Sequence, residues 1–183
     1  MIPAFDHNHV LPPYVGNPTR PSDISPYECS IIDFCQHFAT SVKRISLLKS
    51  LIQFRLKMLA FGIQNGFQWI DGSFTENIEV SEKRDPNDID IVTFYRGLSS
   101  QQENDIVHSF QEFLNPRLSK SIFNLDHYPV DYGSTPERTV ELTRYWIQLF
   151  CHNRNRVWKG MIKIHLPQDN SEEQAALDFL NLL

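Results

Sequence analysis

Apolar and polar positions recur with two different periods along this chain, and the changes of period mark its elements. Ile31, Ile32, Phe34, Cys35 and Phe38 repeat at helical spacing between Pro26 and Thr40. Ser25, with Glu28 three positions on, reads as a capping box for that helix. Val42, Ile45, Leu48, Leu51, Ile52, Leu56 and Leu59 form one stripe over Ser41–Phe61, which predicts a longer amphipathic helix closed by Gly62 or Gly66. Lys43, Arg44, Lys49, Arg55 and Lys57 fill its remaining positions and read as a solvated face. Phe67–Asp71 and Asp88–Tyr95 are apolar runs of strand length. The polar loop between them, Thr75–Asn87, has room for a short strand at Ile78–Val80. Further on, Ser99–Leu114 reads as helix, Ser121–Tyr132 as a strand interrupted near Pro129, and Arg138–Asn153 as helix. Met161–Leu166 is a short strand and Ser171–Leu182 a terminal helix.

Before Pro26 the pattern is lost. Pro12, Pro13, Pro18 and Pro21 oppose helix, so residues 1–25 read as an extended Pro-rich arm that packs over the domain or contacts a partner. Residues 26–183 then form a single domain. Strands mixed with helices predict an α/β fold of the α+β kind, a small mixed sheet packed against helices with two of them N-terminal.

Composition narrows the class. A chain of 183 residues with 41% hydrophobic side chains can bury a real core. The 13 Phe and 3 Trp belong mostly to that core, with base stacking as the other use of such rings. A net charge of -5 gives no global field for nucleic acid, so such a partner needs a local basic patch. Cys29, Cys35 and Cys151 are odd in number and lack CxxC spacing, so they read as reduced thiols. His7 and His9 in DHNH lack a completing ligand set and read as part of a solvated arm. The first residues have no basic start and no long apolar core, and no run approaches membrane-span length. A cytoplasmic protein is expected, with no membrane partner.

The candidate chemistry lies in WIDGSFTENIEVSEKRDPNDIDIVTF, Trp69 to Phe94. Asp88 and Asp90 flank Ile89 at the head of the second strand, where residues two apart share a face. Two carboxylates side by side repel, and a divalent cation with hard oxygen ligands relieves the repulsion. Asp88 has a structural alternative, capping a turn after Pro86-Asn87, whereas Asp90 between two isoleucines has none that is cheap. No GxxxxGK[ST] loop, HExxH helix or GxSxG elbow is present.

Gly72-Ser73 at the end of one strand, followed by Pro86-Asn87-Asp88-Ile89-Asp90-Ile91-Val92 on the next, resembles the nucleotidyltransferase fold of the DNA polymerase beta superfamily. More narrowly it resembles small prokaryotic nucleotidyltransferase-like proteins, over roughly Phe67 to Tyr132. The resemblance implies metal-dependent transfer of a nucleoside monophosphate from a triphosphate such as ATP to a hydroxyl, with release of pyrophosphate. It also implies Mg²⁺, or Mn²⁺, on Asp88, Asp90 and a third carboxylate from a neighbouring strand. Asp131 in YPVDYG is the expected third, with Asp126 as runner-up. Gly72 and Ser73 are expected to contact the triphosphate, helped by Lys83, Arg84, Arg144 and Lys159. His127 is a conceivable base for the acceptor. The acceptor would be a protein partner or a short nucleic acid, and a toxin–antitoxin or phage-defence role is suggested by the same resemblance. The alternatives are an inactive nucleotide- or partner-binding module of the same fold, or an RNA-binding protein using the basic helix Ser41–Phe61.

Overall fold

In the computed structural model, which describes residues 1–183, the two N-terminal helices each begin where a side chain satisfies an otherwise unpaired amide. The Ser30 hydroxyl accepts from the Asp33 amide and starts Ile31–Phe38 (α1). The cap expected at Ser25 is not used, because Tyr27–Glu28 (β1) is committed to parallel pairing with Ile162 and Lys163. Ser41 accepts from the Arg44 amide and starts Val42–Ala60 (α2). Next come Gly66–Asp71 (β2), a short helix Ile78–Ser81 (α3) where a strand is expected, and Ile89–Tyr95 (β3). The predicted helix Ser99–Leu114 breaks at Phe110 into Ser100–Ser109 (α4) and Gln111–Leu114 (α5). Pro116–Phe123 (α6) leads through Asn124, in the left-handed conformation, straight into Leu125–Asp131 (β4). Pro136–Phe150 (α7), Ile162–His165 (β5) and Ser171–Asn181 (α8) complete the order. The fold is a mixed α/β fold of the α+β class.

The sheet is five-stranded in the order β1-β5-β2-β3-β4. β2 is antiparallel to both β5 and β3, while β3 and β4 are parallel and joined by the α4–α6 crossover. Pro129 does not break β4, since an edge strand has an open side where a missing N–H loses no partner.

Strand alternation sorts the side chains onto two faces. Ile70, Ile89, Ile91, Leu125, Ile162 and Ile164 enter the larger core, together with α1, α2 and α8. Trp69, Val92, Phe94 and Val130 enter a smaller core covered by Trp146 and Phe150 of α7. The N-terminal arm packs over the domain. Val10 and Leu11 are buried, Val10 bridges Glu76, and the Leu11 carbonyl accepts from the Gly160 amide at 2.8 Å. Gly160 has to be small there: a Cβ would stand 2.4 Å from the Pro12 carbonyl oxygen. The Asp6 carboxylate accepts from the Asn8 and Val10 amides, which makes DHNH a turn. No helix is long and apolar enough to cross a membrane.

Candidate active site

Strand register builds this site. Asp71, the last residue of β2, pairs with Asp90 of β3, and Asp90 pairs with Asp126 of β4. Laterally paired residues point to the same face, so three carboxylates form a row across three adjacent strands. Asp88 precedes Asp90 by two and joins the row from the loop. The row lies on the face of the smaller core, in line with Trp69, Val92 and Val130.

Gly72 begins the turn that follows β2. Its φ of +79° is in the left-handed region, and a Cβ there would lie 1.7 Å from Asp90 Oδ2. Only glycine lets the chain pass this close to the row. Ser73–Thr75 is one 3-10 turn directly after it.

Four carboxylates so close together need cations, and two lysines supply them. The Lys120 ammonium, at the end of α6, lies 2.6 Å from Asp88 Oδ2 and 3.6 Å from Asp126 Oδ2. Its pKa is raised, chiefly by the hydrogen bond to Asp88. Lys159 is 1% exposed, 3.1 Å from Asp71 and 2.7 Å from Glu76, and donates to the Gly72 carbonyl at 2.9 Å. Burial alone would lower its pKa, but Asp71 and Glu76 outweigh burial and raise it. Asp71 is pushed up to about 6 by burial, with Lys159 opposing. Asp90 is pushed up to about 7, first by burial and then by the charges of Asp88, Asp71 and Asp126; Lys159 only partly offsets this. Asp90 is thus the member of the row most in need of a cation.

The other expected site residues are placed differently. Asp131 pairs with Tyr95 at the far end of β3. It is five residues beyond Asp126, about 16 Å at strand rise, and odd spacing turns it to the opposite face. Asp126 takes the position expected of it. Lys159 is enclosed by its three partners and offers no free donor for a phosphate. Lys83 and Arg84 are exposed on the loop, with Arg84 paired to Glu82 at 2.7 Å. Arg144 lies on the outer side of α7, paired to Glu141 at 3.0 Å. His127 is fully buried on the larger-core face, where burial drives its pKa down to about 3; it hydrogen-bonds Thr93 at 2.8 Å. A histidine held neutral on the wrong face is a core residue here.

The face of α2 expected to be solvated is in part interior. Arg44 and Arg55 are 2% and 1% exposed. Arg55 pairs with Glu173 and Gln68. Arg44 donates to the Phe74 and Glu76 carbonyls, each at 2.6 Å, and pairs with Glu79. With these two guanidinium groups consumed inside, Lys43, Lys49 and Lys57 are the cations of α2 left partly exposed, and Lys57 is paired to Glu112. Lys120, Glu76 and Arg44 carry no sequence signal for their roles. Asp126 has one: it is the second residue of β4 as Asp90 is of β3, and parallel strands that start together align such positions.

A family described as a family of unknown function, DUF6932, matches residues 3–165. The chain belongs to DUF6932. The matched span holds the arm, the whole carboxylate row and both lysines, and stops short of α8. No curated protein and no solved structure matches the chain.

In this DUF6932 member no three His, Cys, Asp or Glu side chains are gathered as a ready metal-binding group. The Lys120 ammonium stands between Asp88 and Asp126, where a cation would draw those carboxylates together. The donor set itself fits a divalent ion. Every candidate ligand is a hard carboxylate oxygen, and Asp90 carries an uncompensated tendency to hold a proton that a cation would displace.

Proposed function

We propose that the chain is a metal-dependent nucleotidyltransferase that moves a nucleoside monophosphate from a nucleoside triphosphate to a hydroxyl acceptor. The observation that carries this reading is the row Asp71–Asp90–Asp126, with Asp88 beside it and Gly72 in contact with it. Asp88, Asp90 and Asp126 would hold a divalent cation, Mg²⁺ or Mn²⁺, which would supply charge neutralisation to phosphate oxygens. Gly72 lets the backbone approach a phosphate, and the Ser73 hydroxyl donates to it. Asp126 lies on the edge strand, the side open to an acceptor, with its side chain 25% exposed against 4% for Asp71. The acceptor oxygen bonds to the α-phosphorus. The bond from that phosphorus to the bridging oxygen breaks, pyrophosphate leaves with the electron pair, and the acceptor proton passes to Asp126.

One observation favours a second reading, a nucleotide-binding module without turnover. Lys120 already neutralises Asp88, as a permanent replacement for the cation would. Label transfer from radiolabelled nucleoside triphosphates, with Mg²⁺ or Mn²⁺ and with the chain itself, RNA, short DNA or lysate as acceptor, separates the two. Transfer by wild type that disappears in Asp88→Ala/Asp90→Ala supports the enzyme. Nucleotide binding without transfer or pyrophosphate release, in a folded wild type, selects the module.

A further inference from the structure

Two buried cations grip one short loop by its main-chain oxygens. Lys159 holds the Gly72 carbonyl at 2.9 Å, and Arg44 holds the Phe74 and Glu76 carbonyls, each at 2.6 Å. Both are nearly inaccessible, at 1% and 2% exposure. They reach the loop from opposite ends of the sequence, one from α2 and one from the segment before β5. The arm adds a third tie, since the His9 carbonyl accepts from the Asn77 amide at 2.8 Å.

A surface turn does not need this. Burying an ammonium and a guanidinium is costly unless every donor is used, and here main-chain carbonyls consume several of them. A trans peptide is planar, with its N–H opposed to its C=O. Turning the Gly72 carbonyl inward to Lys159 therefore turns the Ser73 amide away from that ammonium. The same contact fixes Gly72 at its close approach to Asp90. Asp71 and Glu76 complete the Lys159 shell, so the loop, the end of β2 and one carboxylate of the row are locked as one unit.

We propose that Lys159 and Arg44 are positioning residues that preset the Gly72–Glu76 loop for a triphosphate, acting through its carbonyls and touching no substrate. This rests on the nucleotidyltransferase reading of Gly72 and Ser73. Preorganised donors stabilise a phosphate because no reorganisation is needed when it arrives. Loss of the grip therefore weakens triphosphate binding while removing none of the proposed cation ligands, Asp88, Asp90 and Asp126.

The test compares wild type, Lys159→Met, the charge-balanced Lys159→Met/Glu76→Gln, and Arg44→Lys. The double variant leaves no unpaired carboxylate at position 76, and Arg44→Lys keeps the charge but loses the fork that spans two carbonyls. Three quantities are measured: amide hydrogen exchange over residues 72–77, Mn²⁺ affinity alone, and affinity for ATP in the presence of Mn²⁺. The expected result in every variant that folds is faster exchange confined to the loop, Mn²⁺ affinity no weaker than in wild type, and ATP affinity reduced about tenfold or more. Loop exchange as slow as in wild type overturns the grip. Faster exchange with unchanged ATP affinity overturns its role in positioning. If all three variants unfold, the two cations are residues of the core and the positioning role is overturned. A wild type that binds Mn²⁺ but no triphosphate of any base overturns the nucleotidyltransferase reading, and the positioning role falls with it.

Discussion

Replacing Asp90 with Asn removes a charge that the fold accommodates at a cost, so the variant is expected to gain stability and, on the proposed reading, to lose label transfer. The Asp90 carboxyl rises from 3.8 to about 7, with burial as the first cause. A folded-state pKa above the unfolded one means that the folded chain binds the proton more tightly. Stability is then full below the unfolded value and declines as pH rises toward the folded one. Three units at about 1.4 kcal/mol each set a ceiling of about 4 kcal/mol for the loss at pH 8. Solvent at the partly open side chain reduces this to roughly 2 kcal/mol. Asp90→Asn keeps the shape and removes the ionisation. Urea denaturation of both proteins at pH 4 and pH 8, without divalent ions, reads the difference directly. At pH 8 the variant is expected to be more stable by about 2 kcal/mol, which for a chain of this size is about 4–8 °C in Tm. At pH 4, close to the unfolded value, most of the advantage is gone, because the carboxyl is then protonated in the folded chain and about half protonated in the unfolded one. An advantage of equal size at both pH values, or a variant less stable than wild type at pH 8, would refute the assignment of Asp90 as the strained member of the row.

Three further outcomes follow from the geometry. Asp126→Asn is expected to lower label transfer by about a hundredfold or more, as removal of a proton acceptor and metal ligand does, while Asp131→Ala leaves it unchanged; equal losses in both would mean that the register does not define the site. Lys120→Met is expected to tighten Mn²⁺ binding a few-fold, by roughly the worth of an exposed ion pair, in a titration that follows the spectrum of free Mn²⁺; weaker binding would make Lys120 a supporter of the cation and not its competitor. Gly72→Ala is expected to cost about 2–4 kcal/mol in a thermal melt, since it combines a left-handed backbone with a collision at Asp90; a loss under 1 kcal/mol would show that the approach can relax.

Local pattern carried the elements well, because it reports each element's own face. The stripe of α2 and the runs of β2 and β3 are visible in their apolar periods. What pattern does not report is how one element is set against another. Asp126 and Asp131 both lie in one strand, and only the pairing of Asp90 with Asp126 tells which belongs to the row. The same limit hid Arg44 and Arg55, which on a helical wheel look like any solvated cation. Their partners, Phe74, Glu76 and Glu173, are distant in sequence and two of the contacts are to carbonyls, which every residue has. Lys159 was legible as a cation near the site but not as one already satisfied. The helix Ile78–Ser81 defeated the strand expectation because a four-residue segment is too short for either period to declare itself.

The contact between Lys159 and Gly72 joins positions 87 residues apart, and β5 slots between β1 and β2 only after both have been made. A nascent chain therefore has Asp71, Asp88, Asp90 and Asp126 out of the ribosome well before the ammonium that turns the Gly72 carbonyl inward. Until that late segment arrives, the acidic row exists without its loop, and the sheet has a gap beside β2. On the nucleotidyltransferase reading proposed above, the site therefore stays incomplete throughout synthesis, and the last strand to be inserted into the sheet is also the step that completes it.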